Sequence, residues 1–133
     1  MANSRIKAIG ELGVRVADLE LMKAFYRDVV GLDVYNEDDP GLIFFKVADA
    51  DDGHPQLFAL FDRPRSDDGE RKTLDHFAFL IDVADYDWHK ERLEAAGLAV
   101  FPKTFPHHGW RSLFFADPEG NTVEFVSADP SVR

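Results

Sequence analysis

Three residues of this sequence, Glu11, His76 and Glu124, combine side chains that bind divalent metals with positions that could bring them together. Each lies in a segment where apolar and polar residues alternate, as in a half-buried strand, and each is on the polar side. They are therefore expected to point away from the sheet face that packs on helices. One imidazole and two carboxylates suit manganese, iron, cobalt, nickel or zinc, and leave coordination positions open for water or substrate. A metal held there could polarise a carbonyl group while a carboxylate moves a proton.

The composition excludes several other kinds of chemistry. The 133 residues include no cysteine, which excludes thiolate nucleophiles, Cys-ligated zinc and disulfides. A formal net charge of -10 argues against binding to nucleic acid. We find no basic segment followed by an apolar one at the start and no long apolar run, so we expect a cytoplasmic protein that does not bind membranes. The length suits one domain, and the 12 phenylalanines predict an aromatic core or pocket.

The first half of the chain predicts the element order βαβββ. Its helix is expected to begin after Asp18, a residue type that caps helices, and to end at Gly31. Leu21, Phe25 and Val29 lie on one stripe of this helix, which should face the sheet. The strands are predicted at Ile9–Val16, Leu32–Tyr35, Leu42–Val47 and Gln56–Phe61.

The second half predicts the same order after a polar segment, residues 63–72, that is typical of a linker. A helix is expected over Asp85–Ala96, and Gly97 should end it. The strands are predicted at Leu74–Ile81, Leu98–Phe101, Arg111–Ala116 and Thr122–Val126.

An internal repeat relates the two halves. Residues 30–35 resemble residues 96–101 at a separation of 66, at the same junction between a helix and a strand. Separations of 65 to 66 along the chain pair Glu11 with His76, and Phe58 with Glu124. Candidate ligands therefore occupy related positions in the two halves.

Three segments together resemble the vicinal oxygen chelate superfamily, which contains glyoxalases, bleomycin-resistance proteins and extradiol dioxygenases. They are residues 11–32, Leu74–Phe79 and the closing segment Trp110–Phe125, which is the most specific of the three. The likeness covers nearly the whole chain. It implies an α+β fold in which two βαβββ modules, about residues 6–62 and 73–127, form one domain with a curled mixed sheet around a cleft.

The resemblance also implies roles for individual residues. Glu124 and His76 would be metal ligands, and Glu11 would stand where the family usually has a ligand histidine; Glu11 and Glu124 would also be the catalytic carboxylates. Glyoxalase I proteins carry a fourth ligand on the fourth strand, where this sequence has Phe58. Extradiol dioxygenases use two histidines, one glutamate and a tyrosine, and Phe114 stands near the tyrosine position. Phe58 and Phe114 are therefore candidates for substrate contact.

Five further residues are candidates for substrate binding. Arg15 and Arg111 could pair with an anionic substrate, although surface ion pairs are an alternative for both. His107, His108 and Trp110 form a loop that could reach over a pocket and shuttle protons, although histidines beside a turn often lie free at the surface.

Three functions follow as alternatives. The first is a metal-dependent enzyme of the lyase or isomerase type that acts on a small oxygen-rich or carbonyl compound. The second is a metal-free protein of the bleomycin-resistance kind that sequesters a cationic or planar ligand. Extradiol cleavage is a third, weaker alternative. The resemblance further implies a small-molecule substrate or ligand and a homodimer.

Overall fold

The computed structural model describes residues 5–49, 54–62 and 74–132. The chain divides into two compact units, residues 1–68 and 69–133. Each unit has the order βαβββ and contains a four-stranded mixed sheet with a helix. The predicted α+β fold of two βαβββ modules is confirmed. The predicted linker over residues 63–72 lies outside the described residues.

The first unit forms a sheet in the order β1-β4-β3-β2, in which β1 and β4 are parallel and the other neighbours are antiparallel. Its elements are β1 (Glu11–Val16), α1 (Leu19–Ala24, continued by a π-helix over Phe25–Val30), β2 (Asp33–Asn36), β3 (Leu42–Ala48) and β4 (Gln56–Asp62).

Helix α1 begins and ends where the sequence indicates. The Asp18 carboxylate accepts a hydrogen bond from the backbone N–H of Leu21 at 3.1 Å, and Gly31 ends the helical segment with a φ of 94°. The predicted apolar stripe was partly wrong, because Leu21 is 50% exposed. The buried stripe is displaced by about one residue along the chain from the predicted one. The buried residues are Met22, Phe25, Tyr26 and Val30.

An aromatic cluster forms the core of the first unit between α1 and the sheet. The ring of Tyr26 lies 4.6 Å from that of Phe58 and 6.3 Å from that of Phe45, and all three residues are almost completely buried. Such packing stabilises the unit through apolar burial and favourable ring geometry.

The second unit repeats this plan in the sheet order β5-β8-β7-β6, with β5 and β8 parallel. Its elements are β5 (His76–Leu80), a short 3-10 turn (Val83–Asp85), α2 (Tyr86–Ala95), β6 (Phe101–Phe105), β7 (Trp110–Ala116) and β8 (Thr122–Ala128). Within the described residues, neither helix is long and apolar enough to cross a membrane.

The bounds of strand β6 differ from those that the sequence predicts. We expected it at Leu98–Phe101, but it spans Phe101–Phe105 and pairs with β7 from Phe101 opposite Phe114 to Phe105 opposite Trp110. The short turn between Phe105 and Trp110 sets this register, and the chain after Gly97 uses residues 98–100 as a connection.

Candidate functional site

The site residues of the second unit lie on one face of its sheet. Glu124 of β8 lies between Ala78 of β5 and Phe114 of β7 in the pairing register. Residues paired in this way project to the same side of a sheet, as do alternate residues along a strand. We call this side the Glu124 face; it carries His76, Ala78, Phe101, Lys103, Phe105, Trp110, Ser112, Phe114, Thr122, Glu124 and Val126.

His76 and Glu124 form a pair on this face. The imidazole Nε2 lies 3.1 Å from Glu124 Oε1, while the opposite ring nitrogen, Nδ1, lies 2.7 Å from Asp75 Oδ2. The His76 side chain is 38% exposed and that of Glu124 is 8% exposed. One partner can therefore be reached from solvent while the other is held inside the protein.

Glu124 is a buried carboxylate whose two oxygens both have partners. Its Oε1 faces His76, and its Oε2 accepts a hydrogen bond of 2.7 Å from the hydroxyl of Ser112, which is completely buried. A carboxylate buried without partners would carry a large desolvation cost. The two contacts offset this cost and fix the orientation of the group.

The pair can exist in two chemical states. In one, His76 is an imidazolium that donates to Asp75 and to Glu124. In the other, Nδ1–H donates to Asp75, and the lone pair of Nε2 joins Glu124 Oε1 in binding a cation. The second state fits a divalent transition metal, because imidazole nitrogen and carboxylate oxygen are ligands that such metals accept. This pair would supply two ligands to a metal ion. Within the described ranges, no group of three or more His, Asp or Glu side chains is placed to hold one.

Aromatic rings extend from this pair across the Glu124 face. The Phe114 ring lies 5.9 Å from that of His76 and 6.5 Å from that of Phe105. The Trp110 ring lies 6.5 Å from that of Phe105, and His108 stacks on Trp110 at 4.5 Å with an interplanar angle of 23°. The face therefore combines a polar pair with a surface suited to flat apolar groups.

Comparison with known proteins identifies the family. Residues 8–125 match the family described as the Glyoxalase/Bleomycin resistance protein/Dioxygenase superfamily. The chain belongs to this superfamily. The resemblance inferred from the sequence is thereby confirmed.

Solved structures of the superfamily share the fold with different functions. The chain is 32% identical to lactoylglutathione lyase from Agrobacterium tumefaciens, with a TM-score of 0.71 over 93% of this chain and 96% of that one. It is 26% identical to TnmS3, an antibiotic binding protein from Streptomyces sp. CB03234, with a TM-score of 0.68 over 96% and 100% of the two chains. A mutant of the fosfomycin resistance protein FosX from Listeria monocytogenes, complexed with Mn(II) and a dihydroxypropylphosphonic acid, is 21% identical and shows the fold alone, with a TM-score of 0.68 over 90% and 89% of the chains.

The strand register corrects the predicted equivalence of Phe58 and Glu124. In the first unit, Ala59 of β4 lies opposite Gly13, as Glu124 lies opposite Ala78 in the second. Phe58 is one residue away, and a shift of one residue places a side chain on the other face. Phe58 accordingly packs in the core, and Ala59 takes the position that corresponds to Glu124. The pairings do place Glu11 and His76 at matching positions, the first residues of β1 and β5.

The remaining predicted residues are divided between the two faces. His108, Trp110 and Phe114 lie with the His76–Glu124 pair. Arg111 projects to the other side of the sheet, where its guanidinium carbon lies 3.9 Å from the ring centroid of Tyr86 on α2, so its predicted contact with a substrate does not fit this placement.

Three predicted residues lie at exposed positions. His107 is exposed in the turn between β6 and β7, and Glu11 and Arg15 are exposed on β1. Their predicted roles stay predictions.

Sequence reasoning missed two residues that contact the pair, Ser112 and Asp75. A signal existed for each. Ser112 shares its side of β7 with Trp110 and Phe114 by simple alternation, and Asp75 directly precedes His76. A search for metal ligands passes over both, because their contacts with the ligands arise from strand pairing and from local side-chain geometry.

Proposed function

We propose that this protein is a divalent-metal-dependent enzyme of the lyase or isomerase type that acts on a small carbonyl or oxygen-rich compound. The observation that carries the proposal is the contact of 3.1 Å between His76 Nε2 and Glu124 Oε1. Asp75 and Ser112 orient the two groups through hydrogen bonds of 2.7 Å. The 32% identity with a protein named lactoylglutathione lyase supports the same class of reaction.

His76 and Glu124 would hold the metal through Nε2 and Oε1, and the superfamily pattern assigns Glu11 as the third ligand. A bound divalent ion supplies Lewis acidity that polarises a substrate oxygen. The aromatic rings of Phe114 and Phe105 would exclude water on one side of the substrate. The superfamily resemblance assigns the proton transfers of such a reaction to the carboxylates of Glu11 and Glu124.

Metal analysis of the purified protein tests this proposal. We expect about one transition metal ion per chain in the wild-type protein and a large loss in His76→Ala and in Glu124→Gln. His54→Ala and Glu94→Gln serve as matched controls, since both residues are exposed and lie outside the Glu124 face. The proposal fails if the wild-type protein binds none of manganese, iron, cobalt, nickel and zinc when each is supplied.

A second candidate function is favoured by the aromatic rings of the Glu124 face. Phe101 is 64% exposed and Trp110 is 43% exposed, which is unusual for side chains of this size. A flat ligand could stack on them, and the similarity to an antibiotic binding protein at 26% identity supports this alternative. It predicts that planar aromatic compounds quench tryptophan emission equally with and without a chelator, and that Trp110→Ala abolishes the quenching.

We also propose that the protein acts in the cytoplasm as a homodimer. Each four-stranded sheet has two edge strands, β1 and β2 in the first and β5 and β6 in the second. Proteins commonly cover such edges, and symmetric dimers are the commonest way for chains to associate. Light scattering coupled to size-exclusion chromatography measures the mass in solution. A monomer mass at micromolar concentration would contradict the dimer.

A further inference from the structure

Ser112 contacts Glu124 from inside the sheet. Its side chain is completely buried, and its hydroxyl lies 2.7 Å from Glu124 Oε2. We propose that Ser112 is a positioning residue that engages one oxygen of Glu124 and thereby presents the other, Oε1, beside His76 Nε2. This inference rests on the proposed function and deepens it, because it states how the metal-binding carboxylate is held.

The direction of the hydrogen bond supports this role. An ionised carboxylate only accepts hydrogen bonds, so the Ser112 hydroxyl is the donor. A distance of 2.7 Å is typical of a strong bond between a hydroxyl and a carboxylate. Because Ser112 occupies Oε2, Glu124 has only Oε1 left to bind a metal. A rotation of the carboxylate that turns Oε1 away from His76 would break the hydrogen bond to Ser112.

The position of Ser112 is itself restrained. Strand β7 lies between β6 and β8, so the Ser112 backbone has a neighbour on each side, Lys103 and Val126. Its carbonyl oxygen also accepts a hydrogen bond of 3.0 Å from the hydroxyl of Tyr86, which is buried on α2. Helix α2 and both neighbouring strands therefore hold the donor in place from behind the site.

The sheet also provides a matched control in Ser127. This residue is equally buried, and its hydroxyl donates a bond of 2.7 Å to the carbonyl oxygen of Arg111. It lies on β8, but its side chain projects to the face of the sheet that does not carry Glu124. Its pairing partner Arg111 projects to the same side. Ser127→Ala removes a similar buried hydrogen bond from the same sheet without touching Glu124.

Titration with Mn2+, followed by the electron paramagnetic resonance signal of the free ion, tests the proposal. We expect Ser112→Ala to weaken Mn2+ binding by about 10- to 100-fold, as is typical when a residue that orients a ligand is removed. Ser127→Ala should leave the affinity unchanged. Equal effects in both variants would show a general loss of stability and would overturn the role of Ser112.

A metal-free measurement separates failure of this inference from failure of the proposed function. The side-chain 15N resonances of His76 report what its ring nitrogens contact. In the metal-free protein, Ser112→Ala should shift the Nε2 resonance because Glu124 is free to rotate, and Ser127→Ala should not. If the wild-type protein binds none of manganese, iron, cobalt, nickel and zinc, the proposed function fails, and this shift still decides on Ser112. An unchanged His76 spectrum in Ser112→Ala overturns the inference.

Discussion

Ala59 occupies in the first sheet the position that Glu124 occupies in the second. Each lies opposite the third residue of its parallel neighbour, Gly13 or Ala78. On the antiparallel side, each lies opposite a phenylalanine, Phe44 and Phe114 respectively. The two halves thus share one backbone frame, and the second carries a carboxylate where the first carries a methyl group.

The role of Phe58 follows from this register. Phe58→Ala should lower the free energy of unfolding by about 3–5 kcal/mol, because it removes a ring packed against Tyr26 and Phe45 and leaves a cavity. Urea denaturation measures the change. Phe101→Ala is the control, since Phe101 is 64% exposed and should cost far less. Wild-type stability in Phe58→Ala would contradict its place in the core.

Arg111 should act on stability and not on ligand binding. Its guanidinium group packs over the Tyr86 ring at 3.9 Å on the helix side of the sheet. Arg111→Ala should destabilise the protein by about 1–2 kcal/mol through loss of the cation–π contact and of the packing of its stem. Metal affinity should stay the same. A selective loss of metal or ligand binding in this variant would instead favour a role in the site.

His89 should make stability dependent on pH. Its imidazole lies 5.0 Å from the rings of Trp88 and Phe125. Burial lowers the pKa of His89, and the positive charge of Arg92 lowers it further. The unfolded chain therefore takes up this proton more readily than the folded protein. The contribution of neutral His89 to the stability of the folded protein is fully present above the ordinary imidazole pKa of about 6.5. It is lost as the pH falls below that value.

A substitution isolates this effect. We expect the urea midpoint of the wild-type protein to fall between about pH 7.5 and pH 5.5, on either side of the unperturbed histidine pKa. His89→Phe should fall less over the same range. His54→Ala is the control, because His54 is exposed and should leave the pH dependence as it is. If the urea midpoint falls with pH as steeply in His89→Phe as in the wild-type protein, His89 is not the cause of the pH dependence.

Asp75 should matter less than Ser112 for metal binding. Its carboxylate contacts His76 Nδ1 at 2.7 Å, but its side chain is 94% exposed, so water and salt screen the interaction. Asp75→Asn should therefore weaken Mn2+ binding only about two- to fivefold, as for other exposed charge contacts. Isothermal titration of Asp75→Asn beside Ser112→Ala compares them directly. A larger loss in Asp75→Asn would reverse the ranking.

Local sequence was sufficient for much of the architecture. Asp18 and Gly31 marked the ends of the first helix, because a capping carboxylate and a residue that tolerates positive φ act within one turn. Alternation along β5 and β8 assigned His76 and Glu124 to the polar face, because the side-chain period of a strand needs no distant partner.

Tertiary structure decided the features that depend on pairing between distant segments. The counterpart of Glu124 is Ala59, one residue away from Phe58, which the sequence spacing predicts. Hydrogen bonding between strands distinguishes these two positions, whereas residue spacing along the chain does not. The start of β6 at Phe101 depends in the same way on its partner β7. The contact of Ser112 with Glu124 joins residues 12 positions apart on neighbouring strands, so it exists only once β7 and β8 have paired. Residue types and their faces are local properties of the chain, whereas register is set by the free energy of the assembled sheet.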